Sequence, residues 1–125
     1  MQGPPPTPAR AIGRHCLLDC GGCDVAKLRD EAFLRNALAA AAVAGGMTVL
    51  AVTSHKFDQG GGVTAIALLS ESHLSIHTWP EDGYAAIDAF TCGAADATAA
   101  CAALADALGA RSRRRQHLPR DVPRA

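Results

Sequence analysis

The stretch Leu69–Gly93 reads LSESHLSIHTWPEDGYAAIDAFTCG. Apolar and polar side chains alternate through much of it, which predicts two strands, Leu74–Trp79 and Tyr84–Thr91, on either side of a short connection. The same 25 residues contain two histidines, several acids, a cysteine, the only tryptophan and the only tyrosine of the chain. Because alternate residues of a strand point to the same side of a sheet, these reactive side chains can gather on one face.

The segments on either side of this stretch predict a two-layer α+β domain. Asp24 or Asp30 could begin one alanine-rich helix, which ends at Gly45, and Asp96 and Gly109 bound a second. Further strands are predicted at Gly13–Cys20, Met47–Ser54, Val63–Leu69 and Arg111–His117. Since helices and strands do not alternate regularly, this order favours a mainly antiparallel sheet with two helices on one face.

The length of 125 residues suits a single domain, which we expect to span residues 13–117. Residues 1–12 are rich in proline and are predicted to form a disordered tail. Residues 118–125 are predicted to form a second, flexible tail.

Charge and hydropathy limit the partners of the chain. Twelve basic and 12 acidic residues cancel, so we expect neither nucleic acid nor a membrane as a partner. The basic run Arg111–Arg115 is interpreted as a solvated strand or tail. The N-terminal residues lack the apolar region of a secretory signal and no apolar run is long enough to span a bilayer, which predicts a cytoplasmic protein.

Five cysteines, an odd number in a chain without a secretory signal, favour thiols over a disulfide framework. Cys20 and Cys23 form a C-x-x-C pair, and with His15 or Cys16 nearby they could ligate zinc. A second C-x-x-C is missing, so structural or incidental thiols are the favoured interpretation.

The segment His55–Gly62 reads HKFDQGGG and is predicted to be a loop. Its three consecutive glycines indicate a flexible rim over a site. No lysine follows them, so the segment lacks the pattern of a phosphate-binding loop.

Three motifs closely resemble those of the short bacterial S-adenosylmethionine decarboxylase proenzymes: SESHLSIHTWPE at Ser70–Glu81, GYAAID at Gly83–Asp88 and TCG at Thr91–Gly93. The resemblance extends more weakly to Gly13–His15 and covers about residues 13–117. It implies a carboxy-lyase that supplies aminopropyl groups for spermidine biosynthesis. It also implies a homodimer with sites between protomers, since so small a protomer has little room to enclose a nucleoside.

The resemblance further implies that the chain cleaves itself between Glu71 and Ser72. The Ser72 hydroxyl can attack the preceding carbonyl to give an ester, and β-elimination then leaves dehydroalanine, which hydrolyses to a pyruvoyl group. That group would form a Schiff base with the substrate amine and accept electrons, as pyridoxal phosphate does elsewhere. No pyridoxal phosphate and no metal are therefore expected.

By the same resemblance, His77 would be the base in processing, and Thr64 would supply a hydroxyl that assists it. Cys92 would be the acid that protonates the substrate carbon after decarboxylation. These roles suit an imidazole, which titrates near neutrality, and a thiol, which can release a proton.

Substrate binding is also implied by the resemblance. Glu81 would accept hydrogen bonds from the ribose hydroxyls, and Phe57 and Trp79 would offer aromatic faces to the adenine and the sulfonium charge. Tyr84 and Asp88 match the family motif without an implied role.

Each assignment has an ordinary structural alternative. Ser72 could be a strand serine, His77 a core histidine, Cys92 a small buried hydrophobe and Glu81 an exposed turn residue. Two alternatives also remain for the function. One is the same pyruvoyl chemistry on ornithine or arginine, because Asp58 in the glycine-rich loop could attract a cationic substrate. The other is a non-catalytic homologue that acts as a binding subunit.

Overall fold

The computed structural model describes residues 11–70 and 72–123. Six strands are present: β1 (Ala11–Gly21), β2 (Val49–Lys56), β3 (Val63–Leu69), β4 (Ser72–Trp79), β5 (Tyr84–Thr91) and β6 (Ser112–Asp121). The helices are α1 (Val25–Leu28), α2 (Glu31–Ala44) and α3 (Ala97–Ala107), and a single 3-10 turn spans Pro80–Asp82.

All six strands form one antiparallel sheet in the order β2-β3-β4-β5-β1-β6. The consecutive strands β2 to β5 form a meander, and β1 from the start of the chain is inserted between β5 and β6. The central motif stretch therefore occupies the middle of the sheet. The prediction of an α+β fold with a mainly antiparallel sheet is confirmed.

Aspartates begin each helix, as the sequence predicts for two of them. The carboxylate of Asp30 accepts a hydrogen bond from the backbone N–H of Phe33, and that of Asp96 accepts one from Ala99. Asp24 caps the additional helix α1 in the same way. These bonds satisfy backbone donors that would otherwise lack a partner at the start of a helix.

The core lies between one face of the sheet and helices α2 and α3. Every second residue of β3 and β5 is buried on this side, and leucines of the two helices pack against them. Many of the sheet residues are alanines, so the helices can approach closely. We call the opposite side of the sheet the open face, because none of the helices in the described residues covers it; it carries Thr64, Leu68, His73, His77, Trp79 and Asp88.

The strands at the ends of the chain are longer than predicted. β1 begins at Ala11, so residues 11 and 12 belong to the sheet and not to the predicted tail, whose first ten residues lie outside the described part of the chain. β6 continues to Asp121, which corrects the predicted tail at residues 118–121. The additional residues of the two strands pair with each other, since Ala11 is the partner of Asp121. Pro119 is tolerated because β6 is an edge strand, where a missing N–H need not break a ladder.

Smaller differences concern the neighbouring elements. The four-residue helix α1 was not predicted, because it is too short to show a helical period. β2 includes His55 and Lys56, and β4 begins at Ser72 instead of Leu74. In the part of the chain that the structure describes, no helix is long and apolar enough to cross a membrane.

Candidate active site

A pocket of about 390 Å³ lies where β3 and β4 meet the loop that joins β2 to β3. This volume falls in the range of small-molecule sites. Its lining includes five residues to which the resemblance gives a binding or processing role: Phe57, Thr64, His77, Trp79 and Glu81. Gln59, Gly62 and Thr78 complete the lining.

The glycines of the loop are required for different geometric reasons. Gly60 and Gly61 adopt φ of +76° and +71°, which favours glycine. A Cβ on Gly62 would lie 2.6 Å from the carbonyl oxygen of Thr78, so the loop can approach β4 only without a side chain there. The backbone N–H of Phe57 donates to the carbonyl of Gly62 at 2.8 Å and closes the loop.

Two cations connect this loop to the helices. Nζ of Lys56 donates to the backbone carbonyl of Arg29 at 2.7 Å, and Nε of Arg29 donates to the carbonyl of Gly60 at 3.4 Å. The sequence predicts a flexible rim over a site, and the structure places the loop at the rim of the pocket with these contacts holding it. Glu81 follows Pro80 in the 3-10 turn, and a Cβ on Gly60 would lie 3.4 Å from its Oε2.

Thr64 and His77 form a pair across β3 and β4. They are direct partners in the strand register, and Oγ1 of Thr64 lies 3.1 Å from Nδ1 of His77. Trp79 extends from the same face of β4, with its ring 6.5 Å from that of His77 and 42% of the residue exposed. Phe57, from the loop, is 49% exposed and also lines the pocket. The pocket thus has aromatic surfaces, one hydroxyl–imidazole pair and one carboxylate.

Ser72 lies at the other end of β4 from the pocket. Its hydroxyl donates to the carbonyl of Ser70 at 3.3 Å and lies 3.9 Å from Sδ of Met47. His77 comes five residues later in the same strand, so the two residues are about 17 Å apart along β4. The structure therefore does not bring Ser72 and His77 together within one chain. Glu71 lies outside the described residues.

Cys92 belongs to the same end of the sheet as Ser72. It follows the last residue of β5, two positions after Phe90, which pairs with His73. The thiol is half-buried, unlike the other four cysteines of the chain, which are buried. We refer to Ser72 and Cys92 as the serine end of the sheet. The residues with proposed roles thus fall into two groups, one at the pocket and one at the serine end.

A cluster on the open face was not predicted from the sequence. Oδ2 of Asp88 lies 2.7 Å from Nε2 of His15 and 2.8 Å from Nε2 of His73, and the hydroxyl of Ser75 donates to Oδ1. Burial raises the pKa of Asp88, but the hydrogen bonds from Ser75, His15 and His73 outweigh it and bring the pKa below its usual value. We call these four residues the Asp88 cluster.

His15, His73 and Asp88 are also close enough together to be considered as metal ligands, the one such group in the described part of the chain. Nη1 of Arg120 lies 2.9 Å from Nδ1 of His15, and a guanidinium can only donate. Nδ1 of His15 must therefore be the acceptor, which places the ring proton on Nε2, toward Asp88. This tautomer cannot bind a cation through Nε2, and a ligating histidine normally faces an acceptor on its second nitrogen. The group is a hydrogen-bonded cluster.

Phe90 lies beneath the two histidines. Its ring is stacked with that of His73 at 6.3 Å, meets His15 edge-on at 5.6 Å and lies 5.9 Å from the guanidinium carbon of Arg120. A Cβ on Gly13 would come within 3.1 Å of the Phe90 ring and 2.5 Å of the carbonyl oxygen of Thr91. The Gly13–His15 motif thus has a physical reason: its glycine leaves room for Phe90, and its histidine reaches Asp88.

Tyr84 has a structural partner at the far end of β1. Its hydroxyl donates to Oδ1 of Asp19 at 2.5 Å, while Arg114 pairs with Oδ2 of the same carboxylate at 3.0 Å. The hydrogen bond from Tyr84, and then the one from Arg114, lower the pKa of Asp19. The bond to Asp19 raises the pKa of Tyr84. The tyrosine therefore stays protonated, and Asp19 of β1 is joined both to Tyr84 of β5 and to Arg114 of β6.

The remaining cysteines lie in the core between β1 and α3. Burial raises the pKa of Cys20 to about 11 and also raises those of Cys23 and Cys101. Thiols with raised pKa values are poor metal ligands and poor nucleophiles near neutral pH. This agrees with the interpretation of structural thiols.

The sheet, the pocket and the motifs together define an α+β carboxy-lyase family. The chain matches the family model described as S-adenosylmethionine decarboxylase over residues 14–121, and it belongs to this family.

Individual relatives agree with this assignment. An S-adenosylmethionine decarboxylase proenzyme of Prochlorococcus marinus is 50% identical over 117 residues, which cover 91% of each chain. One from a Geobacillus species is 45% identical over 111 residues, covering 89% of each. The crystal structure of the adenosylmethionine decarboxylase from Aquifex aeolicus superposes with a TM-score of 0.82 at 30% identity, covering 93% of this chain and 96% of that one. The predicted family and enzyme class are confirmed, whereas the roles of individual residues stay predictions.

Proposed function

We propose that this chain decarboxylates S-adenosylmethionine with a pyruvoyl group that it makes from its own Ser72. The observation that carries the proposal is the pocket lined by Phe57, Trp79, Glu81 and the Thr64–His77 pair, in a chain of this family. The product would be the aminopropyl donor for spermidine biosynthesis.

Self-cleavage would begin at the start of β4. Oγ of Ser72 attacks the carbonyl carbon of Glu71, a C–O bond forms as the C–N bond breaks, and the hydroxyl proton passes to the amide nitrogen. A base then removes the α-proton of residue 72, and the ester leaves as the carboxylate of Glu71. Water converts the resulting dehydroalanine to a ketone and releases ammonia. The Ser72 hydroxyl donates to the carbonyl of Ser70 at 3.3 Å, so it is directed back toward the residues that precede it in the chain.

The pyruvoyl group supplies an electron sink for the loss of carbon dioxide. The chain's own residues would bind and orient the substrate around it. Glu81 is the one carboxylate among the described residues that line the pocket, and it suits the two hydroxyls of a ribose. The aromatic faces of Phe57 and Trp79 suit an adenine ring and a sulfonium cation. Cys92 would donate a proton to the substrate carbon.

A second copy of the chain would complete each site. His77 lies about 17 Å from Ser72 along β4, with Thr64 beside it on β3, too far for direct proton transfer within one chain. Two copies would pack open face against open face about a two-fold axis perpendicular to the strands. Because this axis reverses the strand direction, the pocket of one copy would lie over the serine end of its partner. Such an isologous contact gives two equivalent sites. Exposed apolar side chains on the open face, such as Leu68 at 52% exposure, support this packing.

The mass of the purified protein tests self-cleavage. We expect two fragments, residues 1–71 and residues 72–125 with a pyruvoyl terminus, and one intact chain for Ser72→Ala. A wild-type chain that stays intact under all conditions would refute the proposal.

Release of labelled carbon dioxide tests the substrate. We expect release from S-adenosylmethionine and not from ornithine or arginine, since the loop carboxylate Asp58 does not line the pocket. Release from either amino acid at a comparable rate would refute the assignment of the substrate. Light scattering of the cleaved protein tests the dimer, and a monomer with full activity would refute the shared site.

A further inference from the structure

The Asp88 cluster lies outside the pocket, yet one of its members, His73, is the residue that follows Ser72. Its carboxylate accepts hydrogen bonds from His15, His73 and Ser75, which come from two different strands. Neither the pocket nor the proposed roles of Ser72, His77 and Cys92 include any member of the cluster. The inference below rests on the proposed function, since it concerns the residue that cleavage would create.

Cleavage would change what holds residue 72 in place. Before the cut, this residue is covalently linked on both sides. After it, residue 72 is the first of a new chain, paired with Leu69 of β3 and linked covalently only to His73, whose backbone nitrogen forms the amide with its carbonyl. Chain termini fray unless contacts tie them down. The plane of that amide is also the plane of the group that must accept electrons, so freedom at residue 73 would misalign it.

The side chain of His73 is fixed on three sides. Its Nε2 lies 2.8 Å from Oδ2 of Asp88, its ring is stacked at 10° to that of Phe90, and the ring of His15 meets it edge-on at 6.0 Å. Asp88 is itself fixed, because it also accepts from His15, whose Nδ1 contacts Arg120. Residue 73 is thus anchored to β1, β5 and β6, all of which remain when the link between residues 71 and 72 is cut.

We propose that Asp88 is a positioning residue: through His73 it holds the pyruvoyl-bearing residue 72 in place during cleavage and turnover. The Gly13–His15 segment of β1 would also help to hold residue 72 in place. Asp88 would not contact substrate, so its loss is expected to change the rate and not the affinity.

The test compares four proteins: wild type, Asp88→Asn, His73→Phe and the double variant. Phenylalanine keeps a ring that can stack on Phe90 but cannot donate to Asp88. Asp106→Asn is the matched control, because that carboxylate is exposed on α3 and pairs only with Arg113 at the protein surface. For each protein, the rate of cleavage is followed by mass, and kcat and KM for S-adenosylmethionine are measured on the cleaved fraction.

We expect each single variant to cleave more slowly, or to lose about ten- to a hundred-fold in kcat, as for the loss of a hydrogen bond to a charged group. KM should stay within about two-fold. The double variant should be no slower than the slower of the two single variants, because both substitutions remove the same interaction. If the substitutions damaged the structure independently, their fold-losses in rate would multiply.

Unchanged cleavage and kcat in both single variants would overturn the inference, and so would a rise in KM alone or a multiplicative double variant. If Asp88→Asn does not fold by circular dichroism, His73→Phe decides the question with the same constants. A wild type that is cleaved and active alongside unaffected variants refutes this inference alone. An intact, inactive wild type refutes the proposed function and the inference with it.

Discussion

Replacing Thr78 by valine keeps the shape of the side chain and removes one buried hydroxyl. Oγ1 of Thr78 accepts a hydrogen bond from the backbone N–H of Val63 at 2.9 Å and donates to the backbone carbonyl of Leu28 at 2.8 Å. This hydroxyl joins the last residue of α1 to the first residue of β3, directly beneath the pocket. Thr78→Val would leave both backbone groups without that partner in a buried site.

The magnitude follows from these two bonds. A buried donor or acceptor that loses its partner costs about 1–3 kcal/mol, and the added methyl group recovers about 0.8 kcal/mol. We therefore expect the free energy of unfolding to fall by about 2–4 kcal/mol, which for a chain of this size lowers Tm by roughly 10 °C.

Urea unfolding at fixed protein concentration measures this change, best in a Ser72→Ala background, where every molecule is one intact chain. Thr53→Val is the matched control, because Thr53 is an exposed threonine in a strand. A loss in Thr78→Val no larger than in the control would refute the reasoning, since it would mean that neither backbone group needs this hydroxyl.

Three further predictions concern the loop, the Asp88 cluster and the thiols. Gly62→Ala should raise KM several-fold without preventing cleavage, because its Cβ would lie 2.6 Å from the carbonyl oxygen of Thr78 and would push the loop outward; steady-state kinetics measure this, and an unchanged KM contradicts it. The pKa of Asp88 in the folded chain is below its usual 3.8, so its stabilising contribution is present above about pH 4 and is lost as the pH falls through the lowered value. As the pH is lowered from about 6 to about 2.5, the urea midpoint of Asp88→Asn should therefore fall less steeply than that of the wild type, and parallel curves would contradict this. Because burial raises the pKa of Cys20 to about 11, a thiol reagent at neutral pH should modify Cys92 well before any core cysteine in the native protein, and rapid labelling of Cys20 would contradict this.

Much of the fold could be predicted from local patterns. Alternation indicated the strands of the central stretch, and aspartate and glycine marked the ends of α2 and α3. The resemblance to the family named Phe57, Glu81 and Trp79 for substrate binding, and all three line one pocket, although their roles stay predictions. The lengths of β1 and β6 could not, since each strand is extended only by pairing with the other across the whole chain.

The Asp88 cluster was missed for a similar reason. His15 and Asp88 are 73 positions apart, and nothing local indicates that β1 pairs with β5 in the register that joins them. The one signal in the sequence was the Gly13–His15 motif, which resembles the family without an assigned role. The separation of Ser72 from His77 follows from the start of β4 at Ser72 instead of the predicted Leu74, because five residues of one strand span about 17 Å.

The position of β1 has a consequence for the cleaved protein. A cut before Ser72 would give one piece with β1, β2 and β3 and another with β4, β5 and β6, yet β1 lies between β5 and β6. The two pieces would therefore be interlocked, and separating them would require three strand ladders to open together. Refolding after denaturation would become a bimolecular search in which one piece must form around a strand of the other. The uncut precursor is thus the species suited to folding. Once cleaved, a denatured protein would not readily regain the folded state.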